Sequence, residues 1–68
     1  MSELKWFASA SEYPGGQQAD LDGGYWAEVG TEGDDGWSWT IIRDSEDIDG
    51  GRVGSEHEAK RAVAEWRP

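Results

Sequence analysis

The sequence predicts a small α+β domain, an antiparallel sheet of three or four strands packed by one C-terminal α-helix at about 55–67. Three observations carry this. A capping box opens an apolar stripe at helical spacing near the C-terminus. A run of alternating aromatic and polar residues stands before it. Glycine turn signals punctuate the remainder. Residues 1–68 make a single domain. A chain of this length buries only about 60% of its unfolded surface, so its core is small. Hydrophobic residues are 35% of the chain, and five tryptophans (Trp6, Trp26, Trp37, Trp39 and Trp66) compensate for scarce aliphatics. Each large aromatic buries roughly 150–250 Å².

Taken in order, 4–9 reads as a strand with Leu4, Trp6 and Ala8 on one side and Lys5, Phe7 and Ser9 on the other. The segment 10–24 contains Pro14, four glycines and two glutamines, and reads as one long loop. Tyr25, Trp26, Ala27, Glu28 and Val29, set between Gly24 and Gly30, form the next strand. Gly33-Asp34-Asp35-Gly36 is a turn that folds this strand back in a hairpin onto 37–43. In 37–43, Trp37, Trp39 and Ile41 alternate with Ser38 and Thr40, the pattern of a half-buried strand. The polar stretch 44–51 reads as a loop ending in glycine, with 51–53 available as a short further strand. Such a sheet leaves an open edge able to accept a partner strand.

The helix is the clearest element. Ser55 is placed to accept the amide of Glu58, and Glu58 to reach back. Glu56 and Glu58 also suit the positive end of the helix dipole. Ala59, Ala62, Val63 and Trp66 follow at i, i+3, i+4 and i+7, one apolar stripe. Lys60, Arg61 and Arg67 place basic residues in the later turns. Trp37, Trp39 and Trp66 are expected in the core, while Trp6 and Trp26 are left open between core and surface.

Charge bounds the function. Fifteen acidic residues against six basic ones give a net charge of −9. Such a chain repels nucleic acid phosphates and anionic membrane surfaces, so neither is an expected partner. A basic protein surface is. The chain has no cysteine, hence no disulfide and no thiolate metal site. No apolar run approaches the ~18 residues needed to span a bilayer, and 1–5 lacks the basic start and apolar stretch of a secretory signal. A cytoplasmic protein is the expectation.

The segment 25–66 places in order a strand, a glycine turn, a Trp37-x-Trp39-x-Ile41 strand, a glycine loop and a Ser55-x-x-Glu58-Ala59-Lys60 helix start. In this topology it resembles the arm-type DNA-binding domains of phage-style integrases, which have three strands and a C-terminal helix. It is also similar to small, functionally unassigned domains of bacteria and their phages. The resemblance implies the fold. Integrase domains carry basic residues on the sheet to reach phosphates, whereas here the strands carry Glu28, Asp44 and only Arg43.

The reading that follows is a small, non-catalytic interaction module that docks an acidic, aromatic-bearing face on a basic protein surface. Inhibition by imitation of DNA's charge belongs to the same class. The residues expected to meet the partner are Trp6, Trp26, Asp44, Glu46, Asp47, Asp49, Glu56 and Glu58. Complementary charge speeds encounter and a few aromatics supply affinity.

Two other readings stand beside it. Counting from Ser45, the chain puts Ser45, Asp47, Asp49 and Glu56 at positions 1, 3, 5 and 12 of a calcium loop, with Gly50 at position 6. Ser45 replaces the usual Asp, and Arg52 stands where an apolar residue belongs. Calcium is thus the only cofactor the sequence raises. In the last reading the acidity is an adaptation to high salt, with no acidic binding face. An enzyme is not expected. His57 is the sole histidine, read as an exposed helix residue, and there is no Gly-x-Ser-x-Gly and no second histidine for a triad.

Overall fold

The computed structural model describes residues 4–8, 16–32 and 36–68. Five antiparallel strands lie in sequence order as a meander: β1 (Phe7–Ala8), β2 (Gln17–Asp20), β3 (Trp26–Glu32), β4 (Gly36–Arg43) and β5 (Glu46–Val53). The helix α1 (Glu56–Glu65) closes the chain and packs on β3, β4 and β5. The α+β class stands, with five strands where three or four were expected.

β2 and β5 depart from the expectation for separate reasons. β2 falls inside the expected loop at 10–24, and the rest of that loop up to residue 15 lies outside the described residues. Gln17, Gln18 and Asp20 give no strand signal, but Ala19 pairs with Ala27 and is fully buried. A three-residue 3-10 turn, Asp22–Gly24, joins β2 to β3; Gly23 and Gly24 hold φ of 80° and 82° there. β5 replaces the expected polar loop at 44–51 and absorbs the short strand at 51–53. The expected turn at 33–36 lies, up to Gly36, outside the described residues.

Strand alternation sorts the sheet into two faces. Ala27 and Val29 of β3 stand beside Ile41 and Trp39 of β4 on the helix side. Ala59 and Val63 of α1 complete a core of five fully buried residues with Ala27, Val29 and Ile41. Trp6, Trp37, Trp39 and Trp66 pack around this core, partly buried. Small aliphatics form the centre and indoles the surround, which is how so few aliphatics suffice.

The helix begins as its sequence predicts. The Glu58 amide donates to Ser55 Oγ at 3.2 Å, and the Ser55 hydroxyl returns a bond to Glu58 Oε1 at 3.3 Å. Its end differs from expectation. Trp66 has left helical geometry (φ −66°, ψ 140°), although its amide still reaches the Val63 carbonyl at 3.1 Å. No basic residue stands in the last turn. Instead Arg67, just beyond it, turns its Nη1 back to the carbonyls of Ala64 (3.2 Å) and Trp66 (2.7 Å). These are groups that a helix end leaves without internal partners.

Candidate functional site

α1 covers one face of the sheet; the other is bare among the described residues, and it is concave. The pairings that build it are Trp26 with Ile42, Glu28 with Thr40, and Gly30 with Ser38. β5 extends it with Asp47 beside Ile42, Gly50 beside Thr40 and Arg52 beside Ser38. Three kinds of residue therefore make this face. Trp26, Ile42 and Ile48 form an apolar end. Ser38, Thr40, Gly30 and Gly50 form a low floor. Glu28, Asp47 and Arg52 carry the charge.

The apolar end owes its shape to a bulge. Ile41 pairs with Asp49 and Ile42 with Asp47, so Ile48 has no opposite number. A bulged residue escapes the regular alternation and the strand bends locally. Ile48 stands 44% exposed, one of two large hydrophobics so placed among the described residues, the other being Phe7. Ile42 is 6% exposed although no helix lies over it. Trp26, its cross-strand neighbour, supplies large apolar cover on the same face.

The residues expected to meet a partner do not form one surface. Trp6 packs against the core on the helix side, with Lys60 Nζ 5.5 Å from its ring centre. Trp26 stands alone among the tryptophans on the bare face. Asp44 lies in the β4–β5 turn, and Glu46 opens β5 opposite Arg43. Asp49 points to the helix side and is engaged: Oδ2 accepts from Trp66 Nε1 and Oδ1 from the Gly50 amide, both at 2.8 Å. Glu56 meets Lys60 at 3.3 Å, and Glu58 is held by the cap.

β5 runs away from the Asp44–Ser45 turn and delivers the chain to α1 at its far end. At ~3.3 Å per residue its eight residues carry Glu46 and Val53 roughly 23 Å apart. The acids at 44–47 and those at Glu56 and Glu58 thus occupy opposite ends of the sheet, not one phosphate-like row. The same extension separates the calcium-loop residues. Ser45 sits in the turn, Asp47 and Asp49 on opposite faces and Glu56 at the far end. Among the described residues no group of three or more His, Cys, Asp or Glu converges to hold a metal. His57 is exposed on α1.

The edges are better protected than the sequence implies. β1 is two residues long. β5 carries Glu46, Asp47 and Asp49, is bulged at Ile48, and has the Gly50 amide occupied by Asp49. Short edge strands, charges and bulges all discourage the addition of a strand.

Ile48 and the floor residues were missed by sequence reasoning. The parity of Ser38 and Thr40 against Trp37 and Trp39 was the available signal, since it places them on the face away from the core. No protein-family model, curated protein or solved structure matches this chain. No described helix is long and apolar enough to cross a membrane.

Proposed function

We propose that this protein is a non-catalytic interaction module that docks the bare face of its sheet on a basic surface of a partner protein. The observation that carries this reading is Trp26 on that face, away from the core, in a chain of net charge −9. Tryptophan is the residue most enriched at energetic centres of interfaces, and desolvation around it strengthens flanking charge contacts. Glu28 and Asp47 lie on the same face. The acidic field of the whole chain draws a cationic partner in, and the apolar end around Trp26 and Ile48 retains it.

Charge mimicry of DNA is the less favoured form of this reading, because the acids it would use are divided between two ends of the sheet. The test is affinity capture with tagged protein and with its Thr40→Lys variant, washed at rising salt. The wild-type chain is expected to hold a basic protein that elutes as salt rises, and the variant to lose it. Capture indifferent to both salt and Thr40→Lys sinks the reading.

A further inference from the structure

We infer that the occupant of the bare sheet face is a single basic amphipathic helix of a partner protein, an inference that rests on the docking role proposed above. The face offers a trough, and its width follows from the strands that line it. β3, β4 and β5 contribute the residues, so the trough spans two inter-strand gaps of about 4.8 Å each. That is close to the ~10 Å diameter of one helix. The other face of the same three strands already accepts one helix, α1.

The floor suits close approach. Gly30, Ser38, Thr40 and Gly50 bring only small side chains to the middle, while the large Trp26 and Ile48 stand at the end nearer the β4–β5 turn. An apolar stripe on the occupant would rest on Trp26, Ile42 and Ile48.

An added strand is disfavoured by the blunted edges, since β5 is bulged, acidic and self-capped at the Gly50 amide. A second copy would bring another charge of −9 onto the same surface. Charge therefore selects a cationic occupant. Glu28 and Asp47 line the trough beside Arg52, and Asp44 stands beyond its end, so the acids outnumber the cation there and the net charge of −9 sets the sign of the field.

The experiment uses the full chain labelled with ¹⁵N, titrated with three designed peptides of equal length. One sets Leu and Lys at helical spacing. One has the same composition with Leu and Lys alternating, which favours a strand. One sets Leu and Glu at helical spacing. The expected result is saturable shifts at the Trp26 indole N–H and the Thr40 and Gly50 amides with the helical Lys peptide. Its affinity should fall at least tenfold between low and 0.5 M salt, where exposed charges are screened within a few ångströms. Thr40→Lys and Ile48→Lys should each weaken it at least tenfold while the urea midpoint stays near wild type.

Equal or preferred binding of the alternating Lys peptide at this face overturns the helical occupant and leaves the basic-partner reading standing. Binding of the Glu peptide at comparable affinity, or shifts from every peptide confined to α1 or the 44–47 turn, overturns both. Absence of binding by all three does the same.

Discussion

Trp66 Nε1 donates to Asp49 Oδ2 at 2.8 Å, so the residue that ends the helix is clasped to the middle of the edge strand. Asp49 Oδ1 meanwhile accepts the Gly50 amide at 2.8 Å. The Trp66 ring stands edge-on to Tyr25, centroids 5.1 Å apart at 63°. Arg43 covers the other aromatic partner, its guanidinium 4.9 Å from the Tyr25 ring centre and its Nη1 3.1 Å from the Tyr25 hydroxyl. β4, β5, the residue that leads into β3 and the chain end are thereby tied together.

This clasp gives the first prediction. Asp49→Ala removes the acceptor for both donors, and water reaches each of them, so the loss should be about 1 kcal/mol rather than the larger cost of a buried orphan. Trp66→Phe keeps a ring against Tyr25 while removing the indole N–H together with part of the ring's packing area, a loss that the cycle subtracts. In a double-mutant cycle by urea denaturation, Asp49→Ala and Trp66→Phe should be non-additive by about 0.5–1 kcal/mol. Strict additivity would show that the bond contributes nothing to the fold.

The β4–β5 turn gives the second. Asp44 and Ser45 hold φ of 52° and 65°, both in the left-handed region, and join Arg43 directly to its partner Glu46. A two-residue hairpin with both central φ values positive is the arrangement for which Asn-Gly is the preferred sequence. Serine there bears a side-chain penalty that glycine avoids. Ser45→Gly should stabilise by about 0.5–1 kcal/mol, and Ser45→Pro, whose ring fixes φ near −65°, should destabilise by more than that. Thermal melts of the two variants should move in opposite directions. A lower Tm for Ser45→Gly would contradict the turn geometry.

The same region explains which parts of the fold were legible. The helix was readable because its cap and its apolar stripe are local, and Ser55, Ala59 and Val63 behave as their spacing dictates. β4 was readable because Trp37, Trp39 and Ile41 alternate. β5 was not, because Asp47, Asp49, Gly50 and Gly51 have low strand propensity, and what holds them in a strand is pairing with β4. Reading 44–51 as a loop also drew the acids at 44–49 close to Glu56 and Glu58, which the extended β5 separates. Trp26 on the bare face was open to parity reasoning; the bulge that exposes Ile48 was not, since it exists only in the register.

The two glycines of β5 give the third prediction. A methyl group at Gly50 would lie 2.8 Å from the Trp39 carbonyl oxygen, an atom of the paired backbone. A methyl at Gly51 would lie 2.9 Å from Trp39 Nε1 and 3.2 Å from Cε2, because the indole rests over that glycine. Both substitutions should therefore destabilise by about 1–3 kcal/mol, the usual range for overpacking. They should differ in what moves. Gly51→Ala should shift the Trp39 indole N–H resonance, whereas Gly50→Ala should perturb the Trp39–Gly51 backbone pairing and show in amide exchange. Near-wild-type stability for Gly51→Ala would mean that the Trp39 ring does not pack on β5.

Salt gives the fourth. The exposed helix pairs Lys60–Glu56 at 3.3 Å and Arg61–Glu65 at 3.6 Å each contribute only about 0.3–0.5 kcal/mol, and added salt weakens them. Opposing this is the self-repulsion of a chain with net charge −9, which salt relieves. Fifteen acids outnumber six bases, so most carboxylates have no cation to lose when ions screen the surface. The repulsive contribution is the larger, and Tm should rise as NaCl goes from about 10 mM to 0.5 M, with most of the gain where the Debye length falls from about 30 Å to below 10 Å. A Tm that falls with salt would show that local pairs, not the overall charge, govern stability.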